Sequence, residues 1–267
     1  SPRVRPVNTP LLEVAGLTLT VGGRAVVEAA EFGLAAGEHL AVIGPNGAGK
    51  SSLVHALIGD TTPAAGAIRL GGRALADWSA RERACRVALL PQASALSFPF
   101  TVAEVVRLGR SPHASGSIAD RQIVAETLAA CDIAHLRDRP YTRLSGGEKQ
   151  RVQLARVMSQ IWRVEDAEPR LLLLDEPVAA LDLGHQRLVM RQVAALAAQG
   201  VAVVSVLHDI SLAARYADRM LALRDGQTIA AGTPAEVVTA ERMQCLFDTE
   251  TRVITHPDTH TPVVLHG

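Results

Sequence analysis

Residues 44–51 read Gly44-Pro45-Asn46-Gly47-Ala48-Gly49-Lys50-Ser51, the P-loop spacing G-x-x-x-x-G-K-[ST]. Glycines at these positions let the backbone curl until successive N–H groups point inward at a phosphate chain. Lys50 then reaches the β- and γ-phosphates, and the Ser51 hydroxyl suits Mg²⁺. Ser52 follows in the helix whose positive end faces the same anions. A second set is Asp175-Glu176, two carboxylates directly after Leu171-Leu172-Leu173-Leu174. In a parallel sheet, ligands sit at the carboxyl ends of the strands. There Asp175 can orient a Mg²⁺ shell, and Glu176 can polarise an attacking water. A third set, Leu144-Ser145-Gly146-Gly147-Glu148-Lys149-Gln150-Arg151, opens a helix expected to run to about Gln160. Ser145 is a good N-cap, and Gly146 and Gly147 leave backbone N–H groups bare. That makes a second anion site at a helix end. One nucleotide in one subunit does not need two separate helix ends. The economical arrangement is a two-fold homodimer, in which this second tip closes over the nucleotide held by the partner.

These residues need a scaffold of alternating strands and helices. Leu11 to Thr20 and Arg24 to Leu34 read as two strands around a Gly22-Gly23 turn. His39 to Ile43 is a short apolar strand feeding the glycine loop, with a helix from about Gly49 to Ile58. Ala67 to Leu70 and Arg86 to Leu90 are further strands. From Thr101 to Gln160 the apolar spacing turns helical. Leu171 to Leu174 and Val201 to Leu207 are continuous apolar runs, as in central parallel strands covered on both faces. A helix from Gly184 to Gln199 separates them, and Asp225-Gly226 marks a hairpin between Met220–Arg224 and Gln227–Ala231. The alternation gives an α/β parallel core with a mostly helical insertion. The last twenty or so residues show no clear period and read as a tail.

Composition excludes several classes. Across 267 residues, Lys+Arg (27) equals Asp+Glu (27), so the broad basic footprint of a nucleic-acid binder is missing. Aromatic residues are 3%, too few for base-stacking platforms. No apolar run approaches the roughly 18–20 residues of a membrane-spanning helix. Ser1 to Pro10 has no apolar stretch, so no secretory leader is expected. Cys85, Cys131 and Cys245 lie far apart and read as isolated reduced thiols. The chain has only two lysines, Lys50 and Lys149, and both fall inside the motifs above. In an arginine-rich chain this suits positions where a compact ammonium is required.

With these motifs in this order, the chain resembles the ATP-binding-cassette (ABC) ATPases over about 11–246. The resemblance implies a RecA-like P-loop NTPase core, an N-terminal antiparallel β subdomain, a helical insertion at about 93–162 and a C-terminal tail at 247–267. Gly44–Ser51 looks like that family's Walker A, Asp175-Glu176 like its Walker B, and Leu144–Glu148 like its signature motif. Gln92 matches the glutamine that in the family contacts Mg²⁺ and senses the γ-phosphate. Ala180-Leu181-Asp182 matches the D-loop, which crosses the dimer seam, and His208 the switch histidine at the γ-phosphate. The implied reaction is ATP hydrolysis assisted by Mg²⁺ at two composite sites of a homodimer. Soluble cassette ATPases of chromosome maintenance or translation carry coiled-coil arms or a second cassette, and this chain has neither.

One position departs from the family pattern. Many members place an aromatic residue on adenine about where Val21 or Gly22 stands. Leu19 to Arg24 holds none, so weak discrimination between ATP and GTP is expected, with Arg24 as a partial platform. The stretches Tyr141–Val157, Leu181–Gln186 and Val206–Asp218 resemble the importers of metal chelates: haem, ferric siderophores and cobalamin. The long acidic spacer Ile161–Arg170 resembles the haem importers. The implied partners are a transmembrane permease dimer and, indirectly, a periplasmic substrate-binding protein, with no nucleic acid. The implied place is the cytoplasmic face of the bacterial inner membrane. Phe98-Pro99-Phe100, beside Gln92, is a candidate docking surface for the permease. His256, His260 and His266 read as ordinary tail residues, because Pro257 disfavours a helix that would align the first two.

Overall fold

The computed structural model describes residues 10–92, 99–179 and 181–266. In chain order the elements begin with β1 (Leu12–Val21), β2 (Arg24–Leu34), β3 (His39–Ile43), α1 (Lys50–Ile58), β4 (Ala65–Leu70) and β5 (Arg73–Ala74). Then come α2 (Ala80–Arg86), β6 (Val87–Leu90), α3 (Val102–Arg107), α4 (Ser117–Ala130) and α5 (Gly146–Gln160). They are followed by β7 (Leu171–Asp175), α6 (Leu183–Ala198), β8 (Ala202–Val206), α7 (Ile210–Tyr216), β9 (Arg219–Arg224) and β10 (Gln227–Gly232). Two short helices, α8 (Pro234–Val237) and α9 (Ala240–Phe247), precede β11 (Thr251–Thr255) and β12 (Pro262–His266).

The strands form one antiparallel sheet in the order β2-β1-β4-β5, one large sheet in the order β10-β9-β3-β8-β7-β6, and the pair β11-β12. In the large sheet β9, β3, β8, β7 and β6 run parallel, and only β10 is antiparallel, to β9. β3, β7 and β8 are buried along their whole length, as uninterrupted apolar runs require. Successive side chains of a strand point to opposite faces. Leu171 and Leu173 therefore enter one core, with Leu53 and Leu57 of α1 and the inner face of the antiparallel sheet. Leu172 and Leu174 enter the other, with Val152 of α5 and Met190 of α6. The four-leucine strand β7 thus holds two layers together. α5 starts as its sequence suggested: the Ser145 hydroxyl accepts from Glu148 N at 3.3 Å, and the Glu148 carboxylate accepts from Ser145 N at 2.7 Å.

The acidic spacer folds as a strap rather than an open loop. Buried Arg110, at the end of the α3 segment, donates to Asp120 at 3.0 Å and pairs with Asp166 of the spacer at 2.9 Å. Trp162 and Arg163 both donate to Glu126 of α4. The expected tail is also structured. β11 and β12 make a hairpin whose Val253 and Val264 pack against the main core, and Val264 N donates to Ser211 Oγ at 3.3 Å. His256 and His260 form its turn, where His260 N donates to the His256 carbonyl at 3.0 Å.

Candidate functional site

The carboxyl ends of β3, β6, β7 and β8 meet around a cavity of about 650 Å³. It is lined by Val26, Asn46, Gly47, Gly49, Lys50, Ser51, Ser52, Gln92, Glu176 and His208. Two glycines of the loop are dictated by close backbone approach. A side-chain carbon on Gly44 would fall 2.0 Å from the Leu223 carbonyl oxygen, and one on Gly49 2.1 Å from that of Val26. Both also have positive φ, 151° and 99°. The loop rests on the β9–β10 turn, where Gly226 N donates to the Ala48 carbonyl at 3.2 Å. α1 then opens at Gly49 with no side-chain cap. The amides of its first turn have no helical acceptors and suit an anion. Lys50 is buried, and its ammonium donates to the carbonyls of Gly44 and Pro45, both at 2.8 Å. Burial lowers its pKa from the ordinary lysine value, against the opposing pull of Glu176 and Asp175.

Asp175 ends β7 almost fully buried beneath Ser51. Burial raises its pKa; the hydrogen bond from Ser51 pulls the other way, and neighbouring Glu176 adds to the rise. Its Oδ1 is buried without a hydrogen-bond partner. An unsatisfied buried carboxylate oxygen is costly, and a hard cation is the partner its chemistry suits. One residue on, Glu176 turns out of the sheet with φ 53°. Its carboxylate is gripped from both sides: Gln92 Nε2 lies 3.0 Å from Oε2, and His208 Nε2 lies 2.5 Å from Oε1.

Asn46, Gly47, Gly49, Lys50, Ser51, Ser52, Gln92, Glu176 and His208 therefore line one cavity, and Gly44, Pro45, Ala48 and Asp175 adjoin it. Ser145, Gly146, Gly147 and Asp182 do not line this cavity. Ser145 and Gly146 are exposed at the tip of α5. Asp182 caps α6, accepting from His185 N at 2.9 Å. Ala180 and Phe98 lie outside the described residues, while Phe100 packs against the main core. Val26 was not foreseen. It stands on β2 of the other sheet, and no local pattern announces that this strand walls the loop. Among the described residues, no group of three or more His, Cys, Asp or Glu is arranged to hold a metal. Asp175, with Ser51 beside it, could hold a hard cation such as Mg²⁺.

Known proteins resemble this chain in sequence and fold. The ABC transporter family matches residues 27–179. The hemin import ATP-binding protein HmuV of Gloeobacter violaceus is 49% identical over 96% of this chain and 94% of its own length. The protein of the same name from Pseudomonas aeruginosa is 48% identical over 96% of this chain and 99% of its own. Its counterpart from Streptomyces coelicolor is 47% identical over 98% and 94%. Among solved structures, an inward-facing transporter described as of metal-chelate type aligns with a TM-score of 0.80 at 27% identity, covering 97% of each chain. An ATP-binding cassette in a dimeric, post-hydrolysis state with ADP and Pi aligns at 0.73, with 23% identity over 83% of this chain and 98% of that one, and shows the fold alone. The chain belongs to the ABC transporter family and has that family's ATPase fold.

Proposed function

We propose that this chain is the ATP-hydrolysing subunit of a bacterial importer of haem (hemin). It works as a homodimer on the cytoplasmic face of the inner membrane. No helix among the described residues is long and apolar enough to cross a membrane. The cargo passes through a separate transmembrane permease dimer, with a periplasmic binding protein delivering it. The observation that carries the hydrolytic reading is the Glu176 carboxylate, held between Gln92 and His208 at the mouth of the glycine loop. Haem as cargo is supported by the three hemin-import relatives, each aligned over nearly the whole chain. The metal-chelate neighbour supports the broader class, which includes ferric siderophores and cobalamin.

The residues divide the work. The loop amides and Lys50 hold the phosphate chain and offset the charge that grows on the transferring group. Ser51, Asp175 and Gln92 would hold Mg²⁺, which when bound supplies further charge neutralisation on the phosphate oxygens. Glu176 orients the attacking water and takes its proton, while His208 fixes the Glu176 carboxylate. Ser145, Gly146 and Gly147 cap the nucleotide bound by the partner copy, and Asp182 lies at the seam between copies.

The test is reconstitution of this chain with its permease and binding protein in proteoliposomes. Haem-loaded binding protein should stimulate phosphate release and haem uptake. Stimulation by a ferric siderophore or cobalamin, with none by haem, would overturn haem as cargo and leave the ATPase reading standing.

A further inference from the structure

α5 is fastened to the parallel sheet at both ends. At its far end Gln160 Nε2 donates to the carbonyls of Ala84, at 2.6 Å, and Val87, at 3.0 Å, where β6 begins. At its near end, one turn beyond Ser145 and Gly146, Gln150 Nε2 donates to the Pro177 carbonyl at 3.0 Å. Pro177 is the residue directly after Glu176, and it is buried. Glu176 sits at φ 53°, a conformation that an L side chain keeps only when its neighbours enforce it. Proline has no N–H, so the backbone here has one fewer donor with which to lock itself. The turn is held by Glu176 N to Val206 O at 3.2 Å, by Ala179 N to Glu176 O at 3.4 Å, by Leu181 N and Gln186 Nε2 to Val178 O at 3.1 and 3.4 Å, and, at the residue next to Glu176, by Gln150. Further along, Gln186 donates to Leu181 O at 3.1 Å.

We infer that Gln150 is a positioning residue that ties the tip of α5 to the turn aiming Glu176. Seating of the tip on a nucleotide is then transmitted through one rigid helix to the water-orienting carboxylate of the same subunit. The inference rests on the reading above of Glu176 as the base and of the α5 tip as a nucleotide cap. It adds a residue that neither the glycine loop nor the paired carboxylates point to.

The test uses the purified full chain. Gln150→Glu is isosteric and removes the donor, and Gln150→Lys restores a donor of similar reach. Three quantities are read: steady-state phosphate release with ATP and Mg²⁺, binding of a fluorescent (mant) ATP analogue, and Tm. In Gln150→Glu, kcat should fall about tenfold while analogue binding stays within about twofold of wild type. Gln150→Lys should recover most of kcat. Wild-type kcat in Gln150→Glu, or loss of kcat only in step with affinity and Tm, overturns the inference. If Gln150→Glu fails to fold, Gln150→Met, which is neutral and lacks the donor, is read by the same criteria. Glu176→Gln is measured alongside. Unchanged turnover there removes the reading of Glu176, whereas an inactive Glu176→Gln with a fully active Gln150→Glu removes only the link.

Discussion

His208 Nε2 lies 2.5 Å from Oε1 of Glu176, although 32 residues separate them in the chain. The contact follows from the sheet. β7 and β8 are parallel neighbours, with Asp175 paired to Val206, and each chain leaves its strand at the same edge. Glu176 is the first residue past β7, and His208 stands two past β8. Adjacent strands are about 4.8 Å apart, so side chains at their ends meet without any long loop to guide them.

Replacing Glu176 by Gln keeps both hydrogen-bonding neighbours in place but removes the group that accepts the proton. Phosphate release should fall roughly 10²–10⁴-fold. The same variant with ATP and Mg²⁺ should accumulate as a dimer, which sedimentation velocity would detect. Normal turnover would rule Glu176 out as the base.

The orphaned Asp175 oxygen makes a separate prediction. Chelating Mg²⁺ with EDTA should abolish turnover of the wild-type chain, and added Mg²⁺ should restore it. Asp175→Asn keeps the shape but weakens a hard-cation site. Its Mg²⁺ requirement should rise about tenfold or more, in line with the loss seen when a metal's supporting groups are changed. A Mg²⁺ titration of phosphate release identical to wild type would remove Asp175 from the metal site.

His39 gives stability a pH dependence of its own. It is buried, and that burial drives its pKa from 6.5 down to about 4, despite the raising influence of the Tyr216 carbonyl and Asp218. Nε2 lies 2.7 Å from Ser205 Oγ and Nδ1 3.2 Å from the Tyr216 carbonyl, so the neutral ring serves as a bridge. Well above pH 6.5 the ring is neutral in both folded and unfolded chains. As the pH drops toward 4, the unfolded chain takes up the proton first, and stability is lost by about 3 kcal/mol in total. Urea melts between pH 7 and 4 should show this slope. His39→Gln should be less stable at pH 7 but flatter across that window, and an equally steep profile in the variant would assign the slope to other groups.

Nucleotide choice should be loose. Val21 is 59% exposed beside a glycine turn, and Arg24 is exposed after it, so residues 19–24 offer no ring to the base. Missing stacking of the order of 1–3 kcal/mol leaves little to separate adenine from guanine. The KM values for GTP and ATP should lie within about a hundredfold of each other. A wider gap would mean that another group reads the base.

Some of this was written locally in the chain and some was not. The glycine loop, the leucine strand with its two acids, and the Ser145 cap are each carried by fewer than ten consecutive residues, and their physics is local. The last twenty residues did hold a signal. Thr251–Thr255 and Pro262–His266 are short and rich in β-branched residues, but a two-stranded pair is marginal without a surface to lie on. That surface is α7, far away in sequence. Val26 and the Gln150 bond to Pro177 were hidden for the same reason, since each depends on which elements the folded sheet brings side by side.

Because Lys50, Gln92, Glu176 and His208 all issue from one edge of four contiguous strands, the catalytic apparatus has no independent existence. While the sheet persists, these four side chains keep their places within one subunit. The half-site of a single chain, read by binding of a fluorescent ATP analogue, should therefore be lost at the temperature at which the sheet melts.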